Sequence, residues 1–128
     1  MTTTKRIFGT QGEDAALRYL VRRGYHLLER NWRIGHLEVD IIAEHYGIIV
    51  FVEVKTRHKT TAREAADAVD REKQANLLEA ANAYVQIHQL EKPVRFDIIA
   101  VVGQASSFTI KHYEDAFTAL SYAQTRHH

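Results

Sequence analysis

An acidic and a basic residue interrupt the most apolar segment of the chain. Residues 48–55 run Ile-Ile-Val-Phe-Val-Glu-Val-Lys, so Glu53 and Lys55 lie two positions apart. Alternate residues of a β-strand point to the same face, and both side chains are therefore expected on one face of a strand. The preceding segment carries Glu38 and Asp40 at the same spacing. If the two segments pair, three carboxylates and one ammonium group converge at one edge of a sheet.

Three converging carboxylates would repel one another strongly unless a cation lies between them. Hard divalent cations such as Mg²⁺ prefer oxygen ligands and are commonly held by one or two carboxylates together with substrate phosphate oxygens. The pattern is therefore typical of a metal-dependent phosphodiesterase. A structural alternative stays open at this point, in which Glu53 and Lys55 form an exposed ion pair on an edge strand and Glu38 and Asp40 are ordinary surface acids.

Length and composition indicate one soluble domain. The chain has 128 residues and a formal net charge of +1, from 17 Lys and Arg against 16 Asp and Glu. This length suits a single domain over residues 1–128, of which we expect 124–128 to form a flexible tail. With no cysteine, the chain has neither a disulfide framework nor a thiol nucleophile. No apolar run is long enough to span a bilayer and no secretory signal is recognisable, so we expect a cytoplasmic protein without a membrane partner.

Hydrophobic periodicity predicts the elements that position these residues. A capping box, Thr10-Gln-Gly-Glu13, precedes a helical pattern that ends at Gly24. The predicted elements are, in order, a helix over 11–23, a short edge strand over 25–28, a turn at 31–35, strands over 37–42 and 48–55 joined as an antiparallel hairpin, a basic loop over 56–63, a helix over 64–89 in one or two pieces, strands over 94–102 and 108–112, and a closing helix over 115–123. This order predicts an α/β fold with a mixed sheet flanked by helices.

Strict alternation along the hairpin assigns its faces. In the first strand, it predicts that the odd-numbered residues of 37–42 share one face and the even-numbered residues share the other. In the second strand, the face of Glu53 and Lys55 also carries two apolar residues, which an exposed ion pair explains less well. Asp97 interrupts a later apolar strand, and for this residue we expect a structural, hydrogen-bonded role.

The spacing of Asp40, twelve residues and then Glu53-Val-Lys55 resembles the motif of the PD-(D/E)xK nuclease superfamily, which includes restriction endonucleases and archaeal Holliday-junction resolvases. From about Lys5 to Phe117 the chain is also similar to the small bacterial YraN-like proteins, which are classed as predicted endonucleases. The positions that carry this similarity are Gly9, Gly12-Glu13, Gly24-Tyr25, Asn31, Arg33, Glu38, Asp40, Val50-Phe-Val-Glu-Val-Lys-Thr-Arg57, Lys73, Phe96-Asp97 and Phe117. The resemblance implies a restriction endonuclease-like fold with an α-β-β-β-α-β core.

The resemblance also implies roles for the residues of the motif. Asp40 and Glu53 would bind Mg²⁺ or Mn²⁺, with the main-chain carbonyl of Val54 as a further ligand. Lys55 would orient the attacking water and offset the negative charge that builds on the phosphate. The sequence is thereby expected to carry a complete set of catalytic groups for phosphodiester hydrolysis.

Four further polar residues match positions near the active site of related proteins. Glu38 would be an accessory acid. Glu13 matches the acid that resolvase-like members add to the site, although its carboxylate could instead cap the first helix. Lys73 and Gln74 match polar positions that face the same pocket in some members.

Basic residues follow the motif directly and supply candidates for nucleic-acid binding. Arg57, Lys59 and Arg63 would suit contacts to phosphates, which position a nucleic acid without reading its sequence. A solvated loop is the alternative interpretation. Arg33 belongs to a second basic cluster at the end of the first helix, which could flank the same cleft or merely cover a surface; its other members are Arg22, Arg23 and Arg30.

Two functions follow as hypotheses. The first is a metal-dependent endonuclease that hydrolyses DNA rather than RNA, on branched or Holliday-junction-like substrates. The second is a non-catalytic nucleic-acid-binding or adaptor protein on a nuclease scaffold, which would be compatible with the near-neutral net charge. A homodimer is a further expectation, because a two-fold symmetric junction would suit an enzyme with two sites.

Overall fold

A five-stranded mixed sheet with helices on both faces forms the centre of the protein. The computed structural model describes residues 2–118, with side chains from residue 4 onward. Its elements are α1 (Thr2–Arg22), β1 (His26–Ile34), β2 (Leu37–His45), β3 (Ile48–Arg57), α2 (Ala62–Asp67), α3 (Arg71–Ile87), β4 (Val94–Val102) and β5 (Thr109–Phe117). The strands are arranged in sequence order, β3 and β4 are parallel, and the other neighbours are antiparallel. The predicted α/β fold is confirmed.

Local sequence explains the connections around β3. Between β2 and β3, Tyr46 and Gly47 have φ values of 51° and 78°, the left-handed conformation that a tight two-residue hairpin turn requires. Parallel strands need a long crossover, which α2 and α3 supply between β3 and β4. β3 therefore lies in the centre of the sheet with a neighbour on each side.

Two hydrophobic clusters cover the two faces of the sheet. One packs β2, β3 and β4 against α2 and α3, and its fully buried members include Phe51 and Leu77. The other packs the opposite face against α1 and includes Leu20 and Val50. Because β3 contributes to both clusters, charged residues on this strand are forced towards its carboxyl end, where the apolar layers stop.

The long helix predicted over 64–89 forms as two pieces. The Thr61 side chain accepts a hydrogen bond from the Glu64 N–H at 3.0 Å and caps α2. The Asp70 side chain accepts one from the Lys73 N–H at 2.9 Å and caps α3. Side chains of this kind satisfy the free donors of a first helical turn, which explains why a second helix begins within the Ala-rich segment.

Two predictions at the beginning of the chain are wrong. The first helix begins at Thr2 instead of residue 11, because tertiary contacts support its first turns: the Phe8 ring stacks on His58 and packs against Phe108. The turn predicted at 31–35 is also misplaced, since β1 continues to Ile34. Asn31 has a φ of 54°, a conformation that is common in turns, yet the residues on both sides of it stay paired with β2.

The predicted closing helix is wrong where the structure describes it. Residues 115–117 belong to β5, which Phe117 anchors by stacking on Phe96 with ring centroids 5.1 Å apart. The rest of that helix, over 119–123, and the tail predicted over 124–128 lie outside the described residues. Within 2–118, no helix has the length and apolar content needed to cross a membrane.

Candidate active site

The end of the β2–β3 ladder positions Asp40. Pairing between these strands runs as far as Ile41 opposite Val52 and stops there. Asp40 is the next residue, and its Oδ2 accepts a hydrogen bond from the Val54 N–H at 2.8 Å. The carboxylate thus occupies a position beside β3 where the main chain of β2 no longer pairs, within reach of the residues that follow Val52.

The face alternation predicted for β2 is wrong at this point. Val39 and Ile42 both pack in the cluster against α2 and α3, whereas Ile41 packs in the cluster against α1. The two-residue period therefore breaks between Val39 and Ile42. A local irregularity of this kind redirects a side chain at the end of a ladder, and here the side chain concerned is Asp40.

Glu53 is a buried carboxylate with one oxygen unpaired. Its side chain is 4% exposed, and its Oε2 lies 3.6 Å from the Lys55 Nζ and 3.4 Å from the Lys73 Nζ. Within the part of the chain that the structure describes, Oε1 has no hydrogen-bond partner. Buried polar atoms are almost always satisfied, so an orphaned carboxylate oxygen indicates a place for a cation or a donor.

Burial of Glu53 also decides between the two interpretations of the motif. β3 is the central strand, and the Lys55 side chain is 21% exposed. The alternative of a solvent-exposed ion pair on an edge strand is therefore wrong. Lys73, brought in by α3, adds a second ammonium group to the same carboxylate.

The environment of Asp40 disfavours its ionised form. Burial raises the pKa of Asp40 to about 8, and the negative charge of Glu53 acts in the same direction. The hydrogen bond from the Val54 N–H opposes these effects, and Glu13 adds to them more weakly. Two carboxylates in one buried site resist carrying two charges, and a bound cation would relieve this cost.

The donor atoms fit a hard divalent cation. Asp40 and Glu53 supply carboxylate oxygens, of which the buried Glu53 Oε1 has no hydrogen-bond partner within the described chain. Between residues 4 and 118, no group of three or more His, Asp or Glu side chains is arranged to hold a metal. The ligand set that the resemblance implies, two carboxylates with the Val54 carbonyl, is small, and Mg²⁺ accepts such a set because it retains waters and binds phosphate oxygens.

A cleft of about 650 Å³ lies between the first turns of α1 and the carboxyl end of β3. Asp40, Lys55 and Arg57 line it from the sheet, and Lys5 and Arg6 line it from α1. Glu53 is buried and does not line the cleft. The cleft therefore combines the acidic residues Asp40 and Glu13 with basic groups around them, an arrangement suited to a phosphate ester.

Gly12 allows α1 to approach the site. A Cβ atom at this position would lie 2.1 Å from the Thr56 Oγ1, far closer than atoms can pack. The absence of a side chain therefore lets the helix lie directly on the carboxyl end of β3. This contact brings Glu13 and the N-terminal turns of α1 to the cleft.

The two accessory acids have different surroundings. Glu13 lines the cleft together with Asp40, and its Oε1 accepts a hydrogen bond from the Arg30 Nε at 2.8 Å. Because α1 begins at Thr2, the capping role considered for Glu13 is wrong. Glu38 instead pairs with Arg33 at 3.1 Å across β1 and β2 and does not line the cleft. The third acid near Asp40 is thus Glu13, from a different element than the motif alone suggested.

The structure separates the basic and polar residues predicted to bind nucleic acid. Arg57 lines the cleft, Lys59 is exposed two residues further on, and Lys73 contacts Glu53. Arg63 pairs with Asp67 instead, and both Arg63 and Gln74 line a different pocket, beside β5.

Sequence reasoning missed part of the cleft. Lys5, Arg6 and Phe8 line it, but the predicted first helix began at residue 11 and left them unassigned. Two adjacent basic residues followed by an aromatic residue were the available signal.

Asp97 has the structural role expected for it. It is fully buried, accepts two hydrogen bonds from Arg95 at 2.8 and 2.9 Å, and also contacts His112 Nε2 at 2.6 Å and the Asp115 N–H at 2.9 Å. Burial alone would raise the pKa of Asp97, but the hydrogen bonds outweigh it and hold the pKa below its usual value. This network ties β4 to β5 on the face of the sheet that α1 covers.

Comparison with known proteins gives the family. Residues 12–101 match the family described as "Uncharacterised protein family UPF0102". A UPF0102 protein of Bacteroides fragilis is 45% identical over 111 residues, covering 87% of this chain and 92% of its own length. UPF0102 proteins of Chlorobium chlorochromatii and Flavobacterium psychrophilum are 44% and 43% identical, covering 85% of this chain in each case and 89% and 92% of their own lengths. The matched segment includes Glu13, Asp40, Glu53 and Lys55, and the chain belongs to the uncharacterised protein family UPF0102.

Proposed function

We propose that this protein is a metal-dependent nuclease that hydrolyses phosphodiester bonds in DNA. The observation that carries the proposal is the buried Glu53, whose Oε1 lacks a partner while Asp40 beside it holds a strongly raised pKa. Two ionised carboxylates in one buried site are costly without a cation, and the raised pKa of Asp40 expresses this cost as a retained proton, which a bound cation would displace. The basic residues around the neighbouring cleft also support the proposal, because they suit contacts to the phosphate of a substrate.

Each residue of the site has a distinct task in this proposal. Asp40, Glu53 and the Val54 carbonyl would hold the divalent cation. When bound, the cation would stabilise negative charge on the phosphate and make a water more acidic. Lys55 lines the cleft and would orient the attacking water and offset charge on the phosphate. Lys73 would hold the Glu53 carboxylate in place through its contact with Oε2.

The order and pairing of the strands support the resemblance to the PD-(D/E)xK superfamily. Asp40 and the Glu53-Val-Lys55 segment lie on adjacent strands, and the side chain of Asp40 contacts the main chain of that segment. The crossover through α2 and α3 to the parallel strand β4 agrees with the α-β-β-β-α-β core that the resemblance implies.

A cleavage assay tests the proposal. Purified protein would be incubated with single-stranded, duplex, flap and four-way-junction DNA, and with matched RNA, in Mg²⁺, Mn²⁺ or EDTA. We expect cleavage that depends on the metal and falls by at least 100-fold in Glu53→Gln and Lys55→Ala, because each change removes a charge from the reacting site. Glu44→Gln is the matched control, since it removes a surface acid of β2 that pairs with Lys92 outside the cleft. Equal cleavage by the wild type and both site variants would refute the proposal.

A non-catalytic nucleic-acid-binding protein is the second candidate. The observation that favours it is the contact of Glu53 with two lysines, which already offsets part of its negative charge. This function predicts salt-dependent binding of nucleic acid without cleavage in any metal. A homodimer with two such sites stays a prediction, which sedimentation equilibrium would test by giving the molar mass.

A further inference from the structure

A groove continues from the cleft along α1. The cleft shares Thr4, Phe8 and His58 with a neighbouring depression of about 250 Å³. That depression shares Ala105 with a third one of about 300 Å³, which lies beside the last turns of the same helix. The three depressions therefore follow one another along α1, from the candidate active site towards the carboxyl end of the helix, and together are called the groove.

The far end of the groove is basic. Arg18, Arg22 and Arg23 line the third depression, and the spacing of four residues places the first two on one face of the helix. Between residues 4 and 118, Arg18 and Arg22 form no ion pair with a carboxylate, while Arg23 lies 3.8 Å from the centre of the Tyr19 ring. Neither of the two depressions beyond the cleft is lined by an acidic residue of the described chain. Their charge therefore suits a chain of phosphates.

Aromatic rings lie between the basic residues and the cleft. The Phe8 and His58 rings are stacked with centroids 3.7 Å apart and an interplanar angle of 12°, and Phe108 packs against Phe8 at 5.8 Å. His58 is exposed, so its ring can extend the stack. Bases stack on aromatic side chains in this way only when they are unpaired.

We propose that this groove binds a single strand of nucleic acid and leads it to the candidate active site. Arg18 and Arg22 would contact phosphates, and the Phe8–His58 stack would receive a base. From Thr4 to Arg22 the helix spans about 27 Å, the length of about eight stacked nucleotides. The inference deepens the proposed function and rests on it for the identity of the site at the end of the groove. Unpaired strands adjoin the branch point of flaps and frayed junctions, and such structures are the substrate class that the groove favours.

Fluorescence anisotropy in EDTA tests the groove without requiring cleavage. The probes would be a labelled 20-nucleotide single strand of DNA, its RNA equivalent and the corresponding DNA duplex. The variant Arg18→Gln/Arg22→Gln would be compared with Lys92→Gln/Lys111→Gln, which removes the same charge from surfaces outside the groove. A third variant, Phe8→Leu, keeps an apolar side chain but removes the stacking ring, and circular dichroism would check that every variant is folded.

The expected results follow from counterion release. Loss of two phosphate contacts to a single strand lowers the slope of log K against log salt by about 1.4. Between 50 and 200 mM salt, the wild type should therefore lose about sevenfold more affinity than the arginine variant, whereas the lysine variant should behave as the wild type. Phe8→Leu should weaken binding of both single strands by about fivefold or more while leaving the salt slope unchanged, because stacking is uncharged.

Two outcomes would overturn the inference. One is equal salt slopes for the two double variants, and the other is tighter binding of the duplex than of either single strand. Both outcomes can be told apart from failure of the proposed function. If the protein binds single strands through Arg18 and Arg22 but cuts no nucleic acid, the groove is supported and the nuclease function is refuted. If it cuts DNA but the variants bind as the wild type does, the nuclease function is supported and the groove is refuted.

Discussion

Replacement of Asp40 by asparagine should make the protein more stable above pH 5 in the absence of metal. The ordinary pKa of the carboxyl is 3.8 and its folded value is about 8, so the folded state holds this proton more tightly than the unfolded state does. Between these two values the folded state binds more protons, and the free energy of unfolding must fall as pH rises. Asparagine does not titrate, yet its side-chain oxygen can still accept the hydrogen bond from the Val54 N–H.

The size of the effect follows from the same pKa difference. At about 1.4 kcal/mol per pKa unit, the wild type loses at most about 5 kcal/mol from this group between pH 4 and pH 8. Relaxation of the site and entry of water reduce the loss, and we expect a difference between wild type and Asp40→Asn that grows by about 2 kcal/mol over this range. Most of the change should lie between pH 5 and pH 8, where the carboxyl of the folded protein is still protonated and that of the unfolded chain is not.

Urea denaturation at pH 5 and pH 8 in EDTA measures this difference. Asp67→Asn is the matched control, because Asp67 is an exposed aspartate that pairs with Arg63 away from the cleft. Addition of Mg²⁺ at pH 8 to ten times its dissociation constant should then stabilise the wild type by about 1.4 kcal/mol and the variant by much less. Parallel stability curves for wild type and Asp40→Asn from pH 5 to pH 8 would refute the assignment of a raised pKa to this carboxyl.

Two substitutions test other contacts of the fold. Gly12→Ala should lower the free energy of unfolding by about 1–3 kcal/mol, because its Cβ would collide with Thr56. Gly9→Ala should raise the free energy of unfolding slightly, because no atom lies within 4 Å of its Cβ position. Both variants gain helix propensity, so the difference between their thermal denaturation curves measures the collision alone. Asp97→Asn should lower the free energy of unfolding in urea by about 3 kcal/mol, since it removes the buried carboxylate that Arg95 and His112 contact and leaves Arg95 only the exposed Glu114, and a loss below about 1 kcal/mol would contradict that role. The pKa of Asp97 is lowered, so its contribution to stability should be present above pH 4 and disappear as pH falls through the folded pKa, which acid titration of the wild type and variant would show.

Several elements could be predicted because their signals are local. The hairpin of β2 and β3 follows from β-branched residues on both sides of a turn containing Gly47, and the limits of β4 agree with the apolar run from Val94 to Val102. The helical crossover was predicted for the same reason, because its Ala-rich segment repeats with a helical period. The first turns of α1 could not be predicted in this way, since residues far along the chain stabilise them.

The features of the candidate site also divide into those that the sequence could predict and those that it could not. The motif placed Asp40 next to the strand of Glu53 and Lys55, and the structure brings these residues together. No periodic pattern could show that Glu38 would pair with Arg33 while Glu13 lined the cleft, because the first depends on the register of β1 against β2 and the second on how α1 packs against the sheet. The break in the alternation of β2 was equally hidden, since it follows from the end of a ladder between strands.

By itself, the sequence determined the types of the charged groups of the candidate site, their spacing along two strands and the class of fold, because backbone propensity and apolar periodicity act over a few residues. Only the tertiary structure decided that Glu53 is buried with one oxygen unpaired, that Lys73 reaches it from α3, and that the pKa of Asp40 is raised. Burial, charge and the distance between side chains depend on which surfaces of helix and sheet meet, and that meeting is a property of packing across the whole molecule. The groove along α1 has the same origin, since it exists only where the helix lies against the end of β3 and the loop before β5.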